Sequence, residues 1–236
     1  LANQVIHAVR PDAMTIAEDV SGMPGLGGAQ ELGGIGFDYR LGMGTPDYWI
    51  KLIKHVPDEE WHVGHLFGEL TNRRQDEKTI GYAESHDQAL VGDQTLIFRL
   101  IGADMYQAMN VFEPNLRVER GLALHKMIRL ITLATAGNGY LNFMGNEFGH
   151  PEWIDFPREG NQWSYHYARR QWHLRDDTKL RFRFLAEFDR AMLALARDYR
   201  LLINPGPYFV HEHCSDQVLC FTRADLLFVF CFNPSQ

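Results

Sequence analysis

Long hydrophobic runs are missing from this sequence of 236 residues. No stretch approaches the ~20 apolar residues of a membrane-spanning helix, and no basic, apolar, small-residue signal opens the chain. An excess of positive charge is missing too. Lys and Arg number 23 against 30 Asp and Glu, a net charge of −7. That balance argues against nucleic acid or an anionic membrane as partner, because polyanions select for Lys and Arg. Cysteine is scarce: Cys214, Cys220 and Cys231 are an odd number crowded into the last segment. They make no disulfide framework and fit a reducing compartment. A phosphate loop is absent as well, since Gly27-Gly28 and Gly33-Gly34-Ile35-Gly36 lack the Lys-Ser/Thr that completes one.

What is present, at 45% hydrophobic residues and a mean hydropathy of −0.28, is a soluble globular chain long enough for one large domain or two small ones. One stretch organises it. Met14-Thr-Ile-Ala-Glu-Asp-Val-Ser-Gly-Met-Pro24 runs from apolar residues into two adjacent acids and a turn, the pattern of a buried parallel strand. Chemistry in α/β folds gathers at the carboxyl ends of such strands, where Glu18 and Asp19 fall. Acids at strand ends also cap turns or pair with Arg, and this stretch alone leaves both readings open. Lys78-Thr-Ile-Gly-Tyr-Ala-Glu-Ser-His-Asp-Gln88 repeats the grammar, placing Glu84, His86 and Asp87 after a second strand.

The remaining pattern is alternating strands and helices. Residues 1–10 read as the end of an amphipathic helix stopped by Pro11. Strands are expected at 14–19, 35–41, 79–84 and 140–144. Between the first two lies a loop, 20–36, with seven glycines among seventeen residues. Thr45-Pro46-Asp47 signals a helix start, followed by Trp49, Leu52, Ile53 and Val56 at helical spacing. A second helix is read from Asp58 through Trp61, Leu66 and Leu70. Val118–Thr135 predicts the most deeply buried helix, ended by Ala136-Gly-Asn-Gly139. Another spans about 178–202, with Arg181, Arg183, Arg190 and Arg197 as its solvated flank. Four strand–helix units predict a parallel sheet with right-handed crossovers. After Pro205-Gly-Pro207, closely spaced strands at 208–211, 218–222 and 226–232 predict an antiparallel module. The division expected is 1–204 and 205–236. The chain opens within a helix and stops after a strand, so it is expected to be a piece of a longer protein. His211, His213, Cys214 and Cys220 resemble a zinc set, but an alternating strand spaces them poorly. The acids and histidine at the strand ends could alternatively hold a divalent metal in a barrel mouth.

Three motifs then carry a resemblance: Thr15-Ile-Ala-Glu-Asp-Val-Ser-Gly-Met-Pro24, Ala83-Glu-Ser-His-Asp-Gln-Ala-Leu-Val-Gly92 and Gly139-Tyr-Leu-Asn-Phe-Met-Gly-Asn-Glu-Phe-Gly-His-Pro-Glu-Trp153. With Leu124-His-Lys-Met-Ile-Arg-Leu130 and Ser164–Trp172, they resemble the glycogen and starch branching enzymes of the α-amylase family. The resemblance implies the second half of a (β/α)8 barrel, its fifth to eighth strands, followed by the opening of a β-sandwich. It implies Glu18 as general acid and base, and Asp87 as stabiliser of an oxocarbenium-like transition state. His86, Asp19, Gln88 and Trp153 would contact the sugar. It implies no cofactor and no metal, an α-glucan partner (glycogen, amylose or amylopectin), and the cytoplasm, or a plastid in a plant or alga. The nucleophile of such enzymes is an Asp two residues after an Arg at the end of the fourth strand. It is expected upstream of Leu1, and Asp38 does not replace it, so this chain alone is expected not to branch glucan. Retaining transfer needs a nucleophile and an acid roughly 5–5.5 Å apart, and the acid must carry its proton, which partial burial would favour. Two rivals remain: a catalytically silent, amylase-like glucan-binding barrel, and a metal-dependent barrel hydrolase.

Overall fold

A computed structural model describes residues 1–236 apart from 93, 152–154, 167 and 236, with only the backbone at 90–92. Four strands, β1 (Ile16–Ala17), β2 (Tyr39–Leu41), β3 (Thr79–Gly81) and β4 (Gly139–Tyr140), lie side by side in chain order. All three pairings are parallel, with Ile16 opposite Tyr39, Arg40 opposite Thr79 and Ile80 opposite Gly139. The strands are shorter than the apolar runs that announce them, and single backbone bonds such as Leu141 N–H to the Gly81 carbonyl (3.0 Å) extend the contact beyond them. At the entrance to β1 the Asp38 carboxylate accepts the Thr15 N–H (2.6 Å) and hydroxyl (2.9 Å) and meets His7 at 3.0 Å. These bonds hold the Asp38 carboxyl below its usual range against a smaller opposing effect of burial. Asp38 is therefore a structural acid.

Helices α1 (Ala2–Val9), α2 (Gly44–His55) and α3 (Val63–Thr71) come first. The expectation of four strand–helix units is corrected at the first crossover. Between β1 and β2 there is no α-helix, only the glycine-rich loop with a short 3-10 turn at Gln30–Leu32. That loop folds on itself so closely that a Cβ on Gly34 would lie 2.1 Å from the Gly28 carbonyl oxygen. Glu77 anchors it, accepting the Gly25 N–H (2.7 Å) and pairing with Arg40 (2.9 Å). The helix read from Asp58 begins at Val63 instead, with His62 accepting the His65 N–H at 3.1 Å; Asp58–Glu60 forms a single 3-10 turn.

Between β3 and β4 come α4 (Leu96–Ile101), α5 (Asp104–Gln107) and α6 (Leu116–Thr135). The Asn115 side chain caps α6 by accepting the Val118 N–H at 3.0 Å. Gly121 lets α4 pack tightly on α6, since a Cβ there would sit 2.3 Å from Ile101 Cγ1. After β4 come α7 (His173–Asp176) and α8 (Phe182–Asp198), shorter than the span 178–202. The solvated flank of α8 is corrected in part. Arg181 is largely covered: it pairs with Glu119 and donates to the Asn110 and Glu113 carbonyls.

Strands β5 (Tyr208–His213), β6 (Val218–Arg223) and β7 (Leu226–Cys231) form an antiparallel sheet. Leu219, Phe221, Phe228 and Phe230 point inward and share one core with Trp49, Trp61, Leu66 and Ile128. Phe67 of α3 meets Phe221 at 5.4 Å between ring centres. A buried guanidinium joins the same layers. Arg223 donates to the carbonyls of Ala134 (3.0 Å), Ala136 (2.6 Å) and Gly137 (2.9 Å), and Arg73 to that of Thr135 (2.7 Å). Cations belong at a helix carboxyl end, whose last carbonyls lack partners. The zinc reading fails here. Cys214 faces His62 (3.5 Å to Nε2) while His213 pairs with Asp216 (2.9 Å), and among the described residues no metal-holding group forms from the His211–Cys220 set.

Candidate active site

Glu18 follows the last residue of β1, and His86-Asp87 follow β3 through the buried segment Tyr82-Ala83-Glu84-Ser85. β2 separates these two strands in the sheet, so a flat sheet would hold their ends roughly 9–10 Å apart. The loops close that gap. Ligating atoms of Glu18, His86 and Asp87 all lie within 4.8 Å of one another, and His86 Nε2 stands 3.2 Å from Asp87 Oδ1. Glu18 and His86 are exposed and Asp87 is half-buried, so the partial burial expected of Glu18 is not found among these residues. Beneath them, burial pushes the Tyr82 phenol well above its ordinary range, with smaller contributions from the charges of Asp87, Glu18 and Asp47. Two carboxylates and an imidazole in one mouth can move a proton, stabilise a passing positive charge, or hold a divalent cation.

The neighbouring loop is braced from within. Gln88 accepts the Ser85 N–H and hydroxyl, both at 3.0 Å, and donates to Asp47 of α2 at 3.2 Å. The Ser85 hydroxyl in turn accepts the Asp87 N–H at 3.2 Å. Gln88 is buried with its amide engaged on both sides. Its carbonyl oxygen and one amide N–H are thus engaged within the fold. Asp19 accepts the Ser21 N–H (3.2 Å) and hydroxyl (2.5 Å), which caps the turn after β1 and lowers its carboxyl below the usual range. Asp19 thus caps the turn that follows β1. Trp153 lies outside the described residues. A cavity of about 260 Å³ lies to one side, lined by Asp19, Arg40, Arg73, Arg74 and Thr132 among others but by none of Glu18, His86 and Asp87. The three stand at an open surface.

Two residues around the site had no role assigned from sequence. Glu84, 1% exposed, accepts the Leu96 N–H at 2.7 Å, and burial pushes its carboxyl up to about 7. Arg129 of α6, also 1% exposed, donates to Asp189 of α8 and to Asn142 after β4 (3.0 Å). The signal was available in both cases: a charged residue inside an apolar stretch needs an internal partner. Among the aromatics of the loop after β4, Trp163 and Tyr165 are 66% and 61% exposed, and Arg169 covers the Tyr165 ring at 5.3 Å. Trp172 packs on Phe148 at 5.4 Å.

No family model matches the chain. A solved structure from Thermus thermophilus is similar in fold, with a TM-score of 0.52 and 16% identity, over 96% of this chain and 43% of that one. Curated relatives are far closer in sequence. Proteins named 1,4-alpha-glucan-branching enzyme from Felis catus and Equus caballus are 56% and 57% identical over 237 residues, and one from Solanum tuberosum is 54% identical. Each alignment takes in 100% of this chain but only 34% of the cat and horse proteins and 28% of the potato protein. The chain spans about a third of the length of the animal relatives. Over its whole length, then, it is a homologue of the carboxyl-terminal region of the 1,4-alpha-glucan-branching enzymes of animals, fungi and plants.

Proposed function

We propose that this chain supplies the acid–base half of the active site of a branching enzyme. The enzyme cuts an α-1,4-glucan and rejoins the released chain through a 6-hydroxyl. The observation that carries the reading is the convergence of Glu18, His86 and Asp87 within 4.8 Å from two non-adjacent strands. A curved sheet brings such ends together, and four parallel strands in chain order suit the second half of a (β/α)8 barrel.

In this reading an Asp outside these residues attacks the anomeric carbon. As the bond from that carbon to the 4-oxygen breaks, Glu18 gives its proton to the departing oxygen, and a covalent glycosyl-enzyme forms. Glu18, now a carboxylate, takes the proton from an incoming sugar 6-hydroxyl as the new bond to the anomeric carbon displaces the Asp. Asp87 stays ionised beside the positive charge that develops in both steps, which is where fixed charge lowers a barrier most. His86, held against Asp87, donates to a sugar hydroxyl. Glu18 stands at an open surface, which leaves room for a polymer on both sides of the bond.

The test is Glu18→Gln in the full-length protein, which keeps the shape and removes the proton. Glucan binding should persist while turnover falls by ~10²–10⁴, read by iodine absorbance and by isoamylase-released chains. Retention of more than about a tenth of wild-type kcat would remove Glu18 from the acid–base role. The same three side chains fit a divalent cation, which favours one second reading: a metal-dependent hydrolase with the same mouth.

A further inference from the structure

We propose that Glu84 is a positioning residue that fixes Asp87 and His86 by closing the neck of the loop that carries them. The inference rests on the reading that those two residues serve the transfer reaction. Glu84 is the last inward-pointing charge of the β3 segment, and its carboxylate accepts the Leu96 N–H at 2.7 Å. That bond ties the exit of β3 to the first residue of α4 and so pinches shut the segment 85–95. Thr95 reinforces the same point by capping α4, accepting the Phe98 N–H at 3.3 Å.

Within the pinched segment the two reactive residues have little freedom. The Asp87 N–H is held by the Ser85 hydroxyl at 3.2 Å, and Gln88 binds Ser85 on one side and Asp47 on the other. These bonds order the loop locally, and the tie from Glu84 to Leu96 fixes its exit against the start of α4. The backbone from Tyr82 to Ser85 is buried, and at its exit the Glu84 carboxylate grips the start of α4. Around the carboxylate stand Arg129 from α6, Arg170 and Asn146 from the loop after β4, and Tyr140 at the end of β4. Glu84 thereby refers the loop to three elements at once. One of its oxygens, Oε1, is buried with no hydrogen-bond partner. The bond accepted from the Leu96 N–H ties the loop to α4, and a neutral amide oxygen can accept it too.

A shift of about 1 Å in a reacting group costs ~10² in rate, so the expected signature is kinetic. In the full-length protein, Glu84→Ala should lower kcat by ~10² while glycogen affinity, read by affinity electrophoresis, changes less than threefold. Glu84→Gln keeps the acceptor for Leu96 and should restore kcat to within threefold of wild type. Asp87→Asn is the control for the underlying reading. If it is inactive while Glu84→Ala turns over normally, only the positioning role falls. If Asp87→Asn is itself fully active, the assignment of the site falls with it. Three results overturn the proposal: kcat within threefold of wild type in Glu84→Ala, a Gln variant as impaired as Ala, or loss of glycogen affinity and melting temperature in step with kcat.

Discussion

Replacing Glu84 by Gln should make the protein more stable at pH 8 than at pH 4, relative to wild type. In the folded chain burial raises this carboxyl from 4.5 to about 7, against the smaller pulls of the Leu96 N–H, Arg129 and Arg170. The unfolded chain gives up that proton near 4.5 and the folded chain only near 7. Between those values unfolding releases a proton, so wild-type stability falls as pH rises through the window. Below pH 4 both states are protonated and the group contributes nothing; above about 7 the whole deficit is present. A shift of this size corresponds to about 3 kcal/mol, and Glu84 is buried, so solvent does not screen it away. Gln does not titrate and keeps the bond to Leu96. Thermal melts of wild type and variant at pH 4, 5, 6 and 8 measure the effect, because every other titrating group cancels in the difference. The variant's melting temperature should gain about 6–12 °C on wild type across that range. A difference that stays constant with pH would show that Glu84 titrates as an ordinary surface acid, and the account of its burial would be wrong.

Other expectations concern the site and the core. Asp87→Asn should lower kcat by at least ~10² with KM little changed, since its charge matters most in the transition state; an effect confined to KM would make it a ground-state binder. Arg223→Leu strands three carbonyls at the end of α6, and should cost about 3 kcal/mol, read as a lower urea midpoint at unchanged slope. Prolonged dialysis against a chelator should leave branching activity intact, whereas abolition by the chelator and recovery on adding a divalent cation would favour the metal-dependent hydrolase.

Much of this protein was legible in its sequence because local pattern and local chemistry agreed. The apolar stripe and flanking signals of 118–135 produced α6 to within two residues, since Asn115 caps where helix signals say a helix can begin. The parallel order of the four strands follows from crossover rules that act on any chain, and the switch to an antiparallel sheet after Pro205-Gly-Pro207 follows from the loss of helical spacing. Strand-end acids and the His-Asp pair were visible as charges spent where burial is otherwise the rule. Tertiary structure decided the rest. Strand lengths were set by where each neighbour ends, so four predicted runs shrank to two or three paired residues. The glycine-rich loop of the first crossover was visible in composition, but its anchoring by Glu77 and Arg40, distant in the chain, was not. Asp19 caps the turn after β1 and Gln88 braces the loop after β3, while Glu18, His86 and Asp87 face one another. That division is physical. Periodicity fixes which face of an element is apolar, but whether a polar side chain braces the fold or meets a ligand depends on which partners the fold brings within about 3 Å of it.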